Sequence, residues 1–200
     1  RALLEKRKDY ITTNAYRKTE AALENREKLL RHDTRIEAAA LYVIKSAYDI
    51  TNLSLQKLLY YFKAFGYVLL KKDLLPEECE AWVHGPVFPV IYEKYKQFGR
   101  MVIHEEMHEI AADSLLPQEE REVMDYVLQC FGIYNGGVLR EMTHREEPWC
   151  RARQGLGDTE RCTNTIHNED INEYFEKMDR VYNLHNRAGV EAYIKSLHVI

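Results

Sequence analysis

No apolar run in this sequence is long enough to cross a membrane, and its opening residues show no secretory signal pattern. Cysteine is sparse. The four residues Cys79, Cys130, Cys150 and Cys162 lie far apart in 200, which suits free thiols in a reducing compartment and not a disulfide framework. The chain is therefore expected in the cytoplasm, with no membrane partner. His144, Cys150, Cys162 and His167 are of metal-ligand type but lack the close pairs that preorganise a zinc site, so no metal and no cofactor is expected. There is no glycine-rich phosphate loop and no serine or cysteine nucleophile motif. Methionine does not stand first; the chain begins with Arg1, as a piece excised from a longer protein would.

What is present is ordinary for a globular domain, with 46% apolar and 30% charged residues and a formal net charge of −4. That balance hides an asymmetry. Residues 1–35 hold ten Lys and Arg against six Asp and Glu, whereas residues 36–200 hold 18 against 26. An acidic body is a poor general binder of nucleic acid and is better matched to a basic protein.

Along the chain, helical periodicity dominates. Residues 1–35 read as a helical arm with a thin apolar row that includes Ala15, Thr19, Ala22, Leu23 and Leu30. It is either a solvated face or an arm that lays its Leu and Tyr residues on another chain. A firmer stripe begins at Ile36 and runs to Tyr48. The strongest follows, with Leu55, Leu58, Leu59, Phe62, Phe65 and Leu69 on one face and Gln56, Lys57 and Lys63 off it. Further helices are expected over residues 90–98, from Pro117 to Gly132, after Asn135, and from Asn168 through Met178. Residues 179–200 are expected as a separate helical tail anchored by Tyr182, Ala188, Ala192 and Leu197. Thr143 and Glu146 have capping-box spacing. The predicted architecture is mainly α: an arm over 1–35, a compact helical domain over 36–178 with a small two-stranded β element, and a tail over 179–200. The β element would pair the Ala81–Val83 segment with a strand inside residues 101–111.

Between the helical runs stands Trp82-Val83-His84-Gly85-Pro86-Val87-Phe88-Pro89. Proline fixes φ, removes a donor and bars the preceding residue from the helical region, so no helix crosses this segment. Its apolar side chains predict a buried corner. Trp82 is read as core, and Trp149 as either core or the rim of a binding surface. His84 and His144 each lie near carboxylates in sequence, which leaves a nuclease or hydrolase as a distant alternative.

Three ordered clusters resemble a known family: Leu55-Gln56-Lys57-Leu58-Leu59-Tyr60-Tyr61, then Ala81-Trp82-Val83-His84-Gly85-Pro86-Val87, then Leu139 with Thr143-His144 and Pro148-Trp149. In this order they are similar to the Panacea domain, also known as the SocA-like antitoxin domain and as a phage-associated family. The loop over residues 155–165 is longer than the family's pattern. The resemblance implies no enzyme, and an antitoxin that neutralises a protein toxin by direct binding. It also implies, as an alternative, an adaptor that delivers a toxin to a protease; a regulator whose basic arm binds operator DNA is a further alternative from the charge of the arm. Assembly with itself or its partner is left open. On this reading Leu55, Gln56, Lys57, Leu58, Tyr60, Trp82, His84, Gly85, Pro86 and Pro148 are motif residues that hold the fold. Tyr16, Leu23, Leu30, Thr143, His144 and Trp149 are the expected partner contacts.

Overall fold

The computed structural model describes residues 32–104, 115–157 and 159–199. One helix lies at the centre, α2 (Asn52–Leu70), flanked by α1 (His32–Ser46), α4 (Gln118–Phe131), α5 (Gly136–Arg145) and α7 (Asn168–Tyr182). Its start is fixed by Thr51, whose Oγ1 accepts from the Ser54 amide at 3.2 Å while Ser54 Oγ accepts from the Thr51 amide at 3.0 Å. Its end is closed by Lys71 in the left-handed conformation, with the Lys71 amide bonded to the Tyr67 carbonyl.

The apolar face of α2 forms as its periodicity predicts, and the aromatic packing shows how tightly. The Tyr61 ring stacks on Phe131 at 4.0 Å, and Phe65 and Phe175 meet edge to face at 6.1 Å. The off-face residues differ from expectation. Gln56, Lys57 and Lys63 are 1%, 0% and 2% exposed, because neighbours enclose α2 on every side and each polar head finds a partner there. Gln56 accepts from the Phe88 amide at 2.8 Å, Lys57 donates to the Pro86 carbonyl at 2.7 Å, and Lys63 donates to Asp73 at 2.9 Å and to the Leu75 carbonyl.

α1 already includes His32, ahead of the composition shift at Ile36, and is tied to α4 by Arg35 on the buried Glu120 and by Tyr42 on Asp125. Tyr48 does not continue the α1 stripe; it is 97% exposed. α3 (Pro89–Tyr95) opens on its proline and passes through a 3-10 turn, Lys96–Phe98, to Gly99. α5 is capped by Asn135, whose Oδ1 accepts from Gly137 and Val138. Thr143 and Glu146 make no capping box. Thr143 lies inside α5 with its hydroxyl on the Arg140 carbonyl, and the Glu146 carboxyl turns into the core.

The β element has three strands, not two. β1 (Cys79–Trp82) pairs antiparallel with β2 (Gly85–Val87) and with β3 (Thr165–Ile166), in the order β2-β1-β3. The corner itself supplies β2. Pro86 is accommodated because β2 is an edge strand, where a missing N–H breaks no ladder bond. Val102 bridges Thr51 instead of joining β1, and residues 105–111 lie outside the described residues.

α6 (Glu147–Ala152) opens on Pro148. The expected tail contributes to the core: α7 runs on to Tyr182, and α8 (Arg187–Ser196) buries Val190, Tyr193 and Ile194. Of the expected anchors Leu197 is buried and Tyr182 half-buried, whereas Ala188 and Ala192 are exposed.

Gly85 has φ +96, and a Cβ there would lie 2.6 Å from Lys57 Cε and 2.7 Å from Thr143 Oγ1. Gly155 has a comparable φ of +88 with nothing within 4 Å of such an atom. Gly155→Ala should therefore cost only the backbone strain, about 1 kcal/mol. Gly85→Ala adds a steric clash in a filled interior and should cost at least about 2 kcal/mol. Urea melts of the two variants measure this; equal losses would mean that Gly85 serves only its turn.

Candidate functional site

The motif residues converge where the β1–β2 hairpin rests on α2 and α5. From α2, Gln56 satisfies the Phe88 amide just beyond β2 and is itself bonded to Asn52. From the next residue, Lys57, Nζ reaches the Pro86 carbonyl. Full burial is the main cause that brings the Lys57 amine down to about 7, with Cys79 opposing it and the Arg140 guanidinium adding to it. Cys79 is pushed up to about 12 by its own burial, so its thiol stays protonated.

From the other side, α6 locks the hairpin. Trp149 Nε1 donates to the Trp82 carbonyl at 3.0 Å, and Arg153 donates to the Ala81 carbonyl at 3.0 Å with its guanidinium 5.0 Å from the Trp149 ring. Trp82 is not the core residue expected of it, and of the two places open to Trp149 it takes the core. Trp149 is 6% exposed, whereas Trp82 is half-buried, with its indole N–H on Glu80 and its ring against Tyr92. The hairpin turn is the reason: it leaves the Trp82 side chain on the outer rim and offers only its carbonyl inward.

His144 stacks flat on Trp149, with ring centres 3.8 Å apart and planes 11° from parallel. Burial and the charges of Arg140, Lys57 and Arg153 hold it neutral, with its pKa pushed down to about 3. His84 at the hairpin tip is exposed and is lowered too, by partial desolvation and by Arg140, Lys57 and Arg100. Among the described residues neither imidazole hydrogen-bonds a carboxylate, and no group of three or more His, Cys, Asp or Glu is placed to hold a metal ion. The sequence neighbours that suggested an acid–base pair point elsewhere: Glu146 is inward, Glu141 pairs with Arg140, and Glu147 pairs with Arg151.

A second polar centre lies under the first. Glu146 is fully buried and accepts at Oε1 from Tyr61 at 2.9 Å and Tyr193 at 2.6 Å. Desolvation raises its carboxyl to about 7 despite these bonds. The same burial and the Glu146 charge drive Tyr60, Tyr61 and Tyr193 well above the usual phenol value, so they remain donors.

Thus Gln56, Lys57, Tyr60, Gly85, Pro86, Thr143, Pro148 and Trp149 are buried around one corner, with Leu55 and Leu58 in the core behind it. Thr143 and Trp149 present no side chain at the surface, His144 is half-buried, and Tyr16, Leu23 and Leu30 lie outside the described residues. Sequence reasoning missed Arg140, Glu146, Arg153 and Tyr193. The available signals were the four-residue spacing of Arg140 and His144 and the richness in tyrosine, 14 in 200 residues, which a buried acceptor puts to use.

The clusters that carried the resemblance fall within a match to a known family model: residues 55–150 match the antitoxin SocA-like, Panacea domain. No curated protein and no solved structure matches the chain.

Glu146 makes stability depend on pH in a defined direction. Its folded carboxyl titrates near 7 and the unfolded one near the ordinary 4.5. Between those values the folded chain keeps a proton that the unfolded chain has lost, so this group's contribution falls as pH rises through the window. Glu146→Gln is neutral throughout and keeps an oxygen for the two tyrosines. Relative to wild type it should gain stability from about pH 4.5 to 7 and level off above, by on the order of 3 kcal/mol. Urea midpoints across that pH range measure the difference; a flat difference would show that Glu146 ionises in the fold as it does in the free chain.

Proposed function

Starting from a SocA-like Panacea domain at residues 55–150, we propose that this protein is an antitoxin that neutralises a cognate protein toxin by binding it directly. The family match is the observation that carries the reading. The charge distribution supports it: residues 36–200 carry an excess of eight acidic over basic side chains, which favours encounter with a basic protein. The corner adds to this support, since its hydrogen bonds serve to hold a shape and its imidazoles have no carboxylate partner among the described residues. A cytoplasmic site of action belongs to the same reading.

In this proposal the partner surface combines the arm residues Tyr16, Leu23 and Leu30 with the outer edge of the corner at His144. Thr143 and Trp149, being buried, act by holding that edge in place. Because α1 includes His32 and Arg35 pairs with Glu120, a truncation that spares the described domain removes no more than residues 1–31.

Co-expression with the product of a neighbouring gene that arrests growth tests the reading. The full chain should restore growth and co-purify with that product. Removal of residues 1–31 should leave a cooperatively melting domain that rescues more weakly. Rescue that vanishes in a protease-deficient host would assign delivery to a protease instead, and a salt-sensitive shift of promoter DNA by the chain alone would assign operator binding. Failure to restore growth against any neighbouring product would overturn the proposal.

A further inference from the structure

The basic groups at the corner are concentrated in a chain that is acidic overall, and two of them carry a buried side-chain nitrogen with no hydrogen-bond partner. A Cβ on Gly85 would meet Thr143 Oγ1 at 2.7 Å, so the hairpin tip sits directly on α5 at that residue. Arg140 lies three residues before Thr143 and His144 one after it, four apart on one helical face. His84, next to Gly85, arrives at the same place from the hairpin. Arg140 Nε and His144 Nε2 are both buried, and neither has a hydrogen-bond partner. Buried polar atoms in folded proteins are nearly always paired, so two such nitrogens on successive turns of one helix call for a common acceptor.

The local carboxylates do not provide it. Glu141 engages Arg140 through a terminal guanidinium nitrogen, Glu80 holds the Trp82 indole, and Glu146 is turned to the tyrosines. Lys57 directs its amine to Pro86, and Arg153 is spent on the carbonyls of Ala81, Gly157 and Glu160. Both cations add positive field without competing for the acceptor.

We propose that Arg140 and His144, with His84 at the rim, form a binding site for a single oxyanion group, a phosphate or a carboxylate. Arg140 offers its Nε–H and the guanidinium charge, and His144, with its proton on Nε2, offers the second donor. The Trp149 stack fixes the plane of that imidazole, and Lys57 strengthens the field from beneath. The site does not depend on the antitoxin reading, and it stands whether the oxyanion belongs to a small molecule or to a partner's acidic side chain.

The test uses the full chain labelled with nitrogen-15, following the histidine ring nitrogens by NMR near pH 7. Inorganic phosphate and acetate are titrated separately, with chloride at matched ionic strength as the control. Saturable shifts of His144 and His84 with phosphate alone would assign a phosphate site; saturation with acetate as well would assign one that also takes carboxylates. Arg140→Gln, on a side chain 30% exposed, should weaken binding at least about tenfold with an unchanged melting midpoint. His144→Phe keeps a ring on Trp149 and should abolish the saturable shift of His84. Shifts that match chloride for both anions, or unaltered titration in both variants, would overturn the proposal.

Discussion

The hydrogen bond from the buried Lys57 amine to the Pro86 carbonyl is the constraint on which the corner depends. An amine taken wholly out of water must donate, and its stem must fit without a gap. Those needs select the residues around it. Glycine is required at 85, because any side chain would occupy the place of the lysine stem. A strand carbonyl free of ladder partners is required at 86, and the outer side of an edge strand provides one. Gln56, one residue earlier on α2, satisfies the next free amide at Phe88, so two adjacent polar side chains of a buried helix together hold the hairpin.

Glu146 plays the corresponding part on the other side of α2. It ends α5 and begins α6, and its carboxyl gathers hydroxyls from α2 and α8, elements far apart in sequence. The helix that would otherwise be a terminal appendage is thereby bonded to the middle of the domain. Both centres are ionisable groups held in a dry interior where burial opposes their charge, so the corner is sensitive to any change that admits water.

Much of this was legible from the sequence where periodicity or backbone chemistry speaks. The apolar face of α2, the break at Gly85-Pro86 and the helix that starts after Asn135 all follow from local rules. What escaped was long-range. A lysine off the apolar face reads as solvent-facing unless one knows that a hairpin covers it, and a glutamate at a helix junction reads as a cap unless one knows that tyrosines lie beneath it. β3, with only two residues, has no alternation to detect and is defined by its partner Cys79. The candidate site was half visible for the same reason: His84 and His144 stood out as residue types, whereas Arg140 gained meaning only from the orphan nitrogen it shares a face with.

The cysteines have a practical consequence. Cys79, Cys130 and Cys162 are enclosed, which leaves Cys150 as the accessible thiol, its sulfur on the His144 carbonyl. It directly follows Trp149, the indole on which His144 rests. The protein thus carries a natural attachment point for a fluorophore or spin label beside the corner, more exposed than its other three thiols. A probe placed there would report movement of the hairpin against α6 while the chain keeps its own sequence.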